Sequence, residues 1–205
     1  MNDKKLSWQM IREFWLGELD EQGFATKEKN RLWFMGGEEA DRQISRFFGS
    51  LIEQALAGDL TEWEAELPSR LSLIILLDQF TRNVYRGSAQ AFAGDARALA
   101  LVKKTLEAGE HLQLSPAEQG FLYMPLEHSE NTADQLQCVA LFKTLLDQVP
   151  DDRKGQVQGS VDWAIQHYDI VNEFGRFPHR NLILQRESTA AELQYMSGGG
   201  NRFGQ

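Results

Sequence analysis

An all-α fold built from consecutive antiparallel helix pairs is what this sequence predicts, and three observations predict it. Apolar residues recur with helical periodicity nearly from end to end. Alternating apolar and polar residues, which would mark half-buried strands, are absent, and there is no Asn-Gly hairpin turn. The breaks in periodicity fall at glycine, proline and helix-capping residues, leaving the short connections that join antiparallel neighbours.

Taken in order, Ser7 is placed to cap a first helix with Trp8, Ile11, Phe14 and Trp15 on one face. A short helix over roughly 27–35 stops at Gly36-Gly37. The next, near 38–57, turns Ile44, Phe47, Phe48, Leu51, Ile52 and Ala55 inward and ends at Gly58. After Pro68 and Ser69 comes LSLIILLDQF, apolar all round and therefore expected to be the most buried element. A helix from about Ala89 to Ala108 carries Phe92, Leu99, Val102 and Leu106, and Gly109 closes it. Ser115-Pro116-Ala117-Glu118 has the spacing of a capping box with proline in the first turn, and Pro125 is expected to end or kink that helix. A helix over 132–148 points Leu136, Val139, Phe142 and Leu146 inward. The last long helix, near 152–174, aligns Trp163, His167, Ile170 and Phe174 and stops at Gly175. Thr189–Glu192 is a second capping box, ahead of a glycine-rich tail expected to fray.

A chain of 205 residues reads as one helical domain, with N-terminal helices over 1–66, a helix-pair core over 67–197 and a flexible tail over 198–205. A net charge of −9 argues against nucleic acid as a partner. No apolar run approaches the ~18 residues that span a bilayer, so no membrane is expected. The single cysteine, Cys138, has helix-core flanks and fits a buried, inert thiol in a reducing, cytoplasmic compartment. Lysine is absent between Lys29 and Lys103 and after Lys154, where arginine, better suited to two-pronged recognition of anions, takes its place.

Polar residues interrupt apolar faces in four places. Asp78 and Arg82 are four apart at the end of the most apolar helix, where an ion pair anchoring the helix end is the alternative to a site; Asp95 falls on an apolar stripe, where it can accept from an arginine or, equally well, stand in the first turn of a helix. PLEHSE places Glu127, His128 and Glu130 in a short connection after Pro125. Neither Glu-x-x-His nor His-Glu-x-x-His occurs, so the di-iron and zincin signatures fail. His167 sits on an apolar stripe, where a satisfied core histidine is the ordinary case. In FGRFPHRN, Pro178 biases Phe177 to an extended backbone, and Arg176 and Arg180 would hold His179 neutral. A neutral histidine between arginines suits an anion site or general-base work, and equally suits bonding of carbonyls left by the preceding helix.

RLSLIILLDQFTRNVYRGSAQAFAGDARAL, FLYMPLEHSE and FGRFPHRNLILQREST together resemble the bacterial domain-of-unknown-function 924 family over nearly the whole chain. The resemblance implies a tetratricopeptide-like, right-handed α-α superhelix with extra N-terminal helices, although no 34-residue consensus repeat is present. It implies no activity. Two positions depart from the family pattern: Thr81 stands where proline is usual, and Gln185 where glycine is usual, just before Arg186.

Three functions follow. The first is binding of an anionic small molecule or acidic peptide in a groove of Asp78, Arg82, Arg86, Glu130, His167, Arg176, Arg180 and Asn181. The second is a hydrolytic or isomerising enzyme with His179 or His128 as general base. The third is an interaction scaffold in which these residues only fix packing. No cofactor or metal is expected; a metal variant would need His128, Glu130 and His179 to meet. The oligomeric state is not legible.

Overall fold

The computed structural model describes residues 7–203, whose regular structure is helical, with no pairing among them beyond an isolated bridge between Leu19 and Ala25. The helices are α1 (Trp8–Trp15), α2 (Lys27–Met35), α3 (Gly37–Leu56), α4 (Leu67–Ile75), α5 (Thr81–Val84), α6 (Asp95–Glu107), α7 (Pro116–Glu127), α8 (Thr132–Gln148), α9 (Lys154–Phe174) and α10 (Ala190–Ser197). No helix among the described residues is long and apolar enough to cross a membrane. Residues 1–6 and 204–205, the ends of the expected N-terminal and tail segments, lie outside the described residues.

Both predicted capping boxes form. Glu118 accepts from the Ser115 N–H at 2.9 Å, and Thr189 and Glu192 exchange bonds at 2.7 and 3.2 Å, satisfying N–H groups that would otherwise lack partners. Ser7 stands at the N-cap position with an extended backbone, but its side chain makes no capping bond.

By contact the chain divides into two units, Met1–Tyr85 with Gln90–Pro125, and Arg86–Ala89 with Leu126–Gln205. In the first, α4 runs through a π-helical turn, Leu76–Phe80, into α5, and its apolar residues from Leu71 to Leu77 are buried as expected. The Thr81 N–H reaches back five residues to the Leu76 carbonyl, and its hydroxyl takes the Leu77 carbonyl at 2.8 Å. Gly94 lies against the same Leu77 carbonyl so closely that a Cβ there would stand 2.2 Å from it. The helix expected from Ala89 is therefore two pieces: a 3₁₀ turn, Ala89–Phe92, and α6, which starts only beyond Gly94. Edge-to-face rings, with Phe80 centred 5.2 Å from Trp15, fill this core.

In the second unit, α8 and α9 pack side by side. Three residues expected inward, Phe47 in the first unit and Leu136 and Trp163 here, are about half exposed. The cause is clearest in α8, whose buried stripe runs Gln135, Cys138, Phe142, Leu145. A polar residue occupies the core position because its amide nitrogen is held there: Gln135 Nε2 donates to the carbonyls of Glu127 and Ser129, the latter at 2.7 Å. Cys138 is buried, and loss of water, followed by the nearby Glu127 charge, pushes its thiol well above the ordinary range.

Candidate functional site

The end of α7 and the turn into α8 bring the first site residues together. Asn131 caps α8 by accepting from the Ala133 N–H at 2.8 Å, and the Ser129 hydroxyl donates to Asp134 at 2.7 Å. Together with the Gln135 amide, these bonds fix the EHSEN turn.

The second group follows α9. Gly175 ends the helix at φ +71°, Phe177 is extended ahead of Pro178, and Pro178–Arg180 form a 3₁₀ turn. Glu130 ties this segment to the EHSEN turn. It accepts two bonds from Arg186, at 2.6 and 3.0 Å, and one from the Phe177 N–H at 2.8 Å. Burial opposes its charge, but these bonds outweigh it and hold the carboxyl below its ordinary range. Arg186 also donates to Asn181 Oδ1 at 3.0 Å. It is positioned by Gln185, whose φ of +54° explains why glycine suits that place. Arg176 grips Glu192 with two bonds, at 2.6 and 2.8 Å, which together with burial's opposing effect leave that carboxyl at about 2.

At the centre are imidazoles and one carboxylate. Glu127 and His167 are almost fully buried, and Glu127 Oε1 lies 3.5 Å from His167 Nδ1. That Nδ1 bonds the Trp163 carbonyl of its own helix at 2.8 Å. The His128 ring is centred 6.2 Å from that of His167, and Phe203 stacks on His167 at 3.7 Å. One ligating atom from each of Glu127, His128 and His167 lies within 4.8 Å of the others. His179 packs 5.6 Å from Phe177 and from Phe203, and its Nδ1 is buried without a hydrogen-bond partner. Arg180 donates to the His128 carbonyl at 3.1 Å and lies over the Phe177 ring at 4.4 Å.

Burial, reinforced by neighbouring positive groups, lowers His167 and His179 to about 3 each. For His167 the strongest neighbour is His128; for His179 it is Arg180. Both rings are thus neutral near pH 7, each with a nitrogen lone pair that can accept a hydrogen bond or ligate a cation.

Of the residues singled out in the sequence, His128, Glu130, His167, Arg176, His179, Arg180 and Asn181 fall together in the second unit. Arg86 is exposed in that unit. Asp78 and Arg82 belong to the first unit, where Arg82 grips Asp95 at 2.8 and 3.0 Å and meets Asp78 at 3.3 Å. Three participants lie outside the candidate set. Glu127 stands in PLEHSE beside His128 without being among the candidate ligands. Arg186 follows Gln185, where the turn departs from the family pattern, and Phe203 lies in the glycine-rich tail, which carries no signal.

These features define a class: an all-helical protein whose second unit gathers three histidines, a buried carboxylate and arginines already engaged with acids. The chain belongs to the family described as "Bacterial protein of unknown function (DUF924)", whose family model matches residues 11–200. It is similar to the solved structure of the protein of unknown function ATU0120 from Agrobacterium tumefaciens. The two are 31% identical with a TM-score of 0.78, over 94% of this chain and 97% of that one. No curated protein matches the chain.

Proposed function

We propose that the second unit is a reaction centre for a small anionic molecule, with His179 as general base and Arg180 supplying the positive charge that favours the anion. The observation that carries this reading is His179 itself, neutral near pH 7 and with a buried Nδ1 that bonds nothing. Arg82, Arg176 and Arg186 already grip carboxylates of the chain, which supports a small enclosed site over a long arginine-lined groove. The side-by-side packing of α8 and α9 supports a tetratricopeptide-like arrangement of helix pairs as the scaffold. The single buried cysteine supports a cytoplasmic setting.

Side-chain ¹⁵N NMR of the histidines during titration with inorganic phosphate tests the binding half. His179 resonances are expected to move saturably at about millimolar phosphate, an affinity worth about 4 kcal/mol, and to stay still in Arg180→Gln. Turnover of p-nitrophenyl phosphate and p-nitrophenyl acetate tests the chemistry, with a loss of about 100-fold or more expected in His179→Ala. Resonances indifferent to phosphate, together with equal rates in the two proteins, would overturn the reading.

A further inference from the structure

We propose that Glu127, His128 and His167 bind one divalent transition-metal ion of the zinc class. The donor set is the first argument. Two imidazoles and a carboxylate are borderline ligands that select zinc, cobalt or nickel over magnesium and calcium, and three protein ligands leave a position open for water or substrate.

Geometry is the second. The three ligating atoms already lie within 4.8 Å of one another. A tetrahedral ion with bonds of about 2.1 Å sets its ligands about 3.4 Å apart, so closing on the ion takes about an ångström of side-chain movement. Adjacent side chains on a helix diverge by ~100°, yet Glu127 is the last residue of α7 and His128 the first beyond it. The helix ends at that boundary, and the two neighbours in sequence have ligand atoms within 4.8 Å of each other.

The third argument is the support around the ligands. His167 Nδ1 lies 3.5 Å from Glu127 Oε1 and gives its proton to the Trp163 carbonyl at 2.8 Å, which leaves the lone pair on Nε2, so ligation through Nε2 includes a turn of the ring. Metal-binding histidines are oriented by this kind of bond to their second nitrogen. The Gln135 amide pins the backbone carbonyl of Glu127, and Phe203 covers one face of the His167 ring. Glu127 and His167 are only 5% and 4% exposed, so little water competes for the ion.

The ion would add two positive charges to a cluster in which Arg176, Arg180 and Arg186 face Glu127, Glu130 and Glu192 at no net formal charge. That would favour the anion assigned to this site above, but the metal proposal stands on its own ligands and does not need that assignment.

The test is calorimetric titration of the full chain with Zn²⁺ after exhaustive dialysis against chelator, with Co²⁺ as a spectroscopic substitute. The expected result is one ion per chain, tetrahedral-strength visible bands for Co²⁺, and no displacement by a large excess of Mg²⁺. His128 is only half-buried, so His128→Ala should keep its circular dichroism while weakening Zn²⁺ binding by at least about tenfold. Glu127→Gln should shift the Co²⁺ bands even where affinity survives. Failure of wild type to bind zinc stoichiometrically, or binding that His128→Ala leaves unchanged, would sink the proposal. His179→Ala should bind zinc as wild type does. A chain that binds zinc and ignores phosphate retires the reaction centre alone; one whose His179 responds to phosphate without binding zinc retires the metal alone.

Discussion

Arg82 in the first unit and Arg180 in the second are equally hidden, 8% and 6% exposed, and they are used in opposite ways. Arg82 meets two carboxylates, Asp95 through both terminal nitrogens and Asp78 at 3.3 Å. Burial works against its charge, but the two acids more than offset that and raise its pKa. Arg180 donates to a carbonyl and lies over an aromatic ring, and its charge acts on Glu130 and also on His167 and His179. A cation answered by acids is a tie between elements. A cation whose field also reaches neutral imidazoles acts on groups that can change their protonation or ligand. Burial of charge alone therefore does not mark a site; what surrounds the charge does.

The largest expected effect lies on the structural side. Arg82→Met strips Asp78, itself fully buried, of its counter-charge, and removing one partner of a buried pair costs about 3–5 kcal/mol. Urea unfolding should show that loss; a change under about 1 kcal/mol would mean that Arg82 is no more of a tie than Arg180.

Next comes the pH dependence of stability. His179 stays neutral in the fold down to about 3, whereas the unfolded chain takes up its proton near the ordinary 6.5. Between those values the unfolded state binds the extra proton, so this histidine's contribution to stability is complete above 6.5 and lost as pH falls. The groups acting on it are Arg180, Arg186, Glu130 and His128. At about 1.4 kcal/mol per pH unit, roughly 2 kcal/mol has gone by pH 5, and His179→Asn should flatten the slope by one proton. Parallel slopes for the two proteins would remove His179 from the set of buried neutral bases.

The smallest effect concerns the turn that carries Arg186. Gln185 adopts φ +54°, a conformation that costs a side chain about 1–2 kcal/mol, part of which glycine forfeits in backbone entropy. Gln185→Gly should raise stability by about 0.5–1 kcal/mol in thermal or urea unfolding and leave the Glu130–Arg186 pair in place.

Helix boundaries were legible because their signals are local. Thr189 and Glu192 bond within four residues, and Gly175 ends α9 by its own positive φ. Orientation was less so. The stripe of α8 lies one position from the expected one, because Gln135 counts as polar until the carbonyls that accept from its amide nitrogen are known. The break before α6 was not legible either, since the close approach of Gly94 to Leu77 joins residues 17 apart in the chain.

By itself, then, the sequence determined that this protein is all helical, where most of its helices start and stop, that Asp78 and Arg82 share a face, and which short segments carry its histidines and arginines. Tertiary structure decided which carboxylate each arginine holds, that Glu127 rather than Glu130 joins the imidazoles, and that Phe203 lies on His167. The physical reason is range. Periodicity and capping act over a few residues, whereas a site is made by residues 40 or more apart, such as Glu127 and His167, and their meeting depends on how α8 and α9 pack.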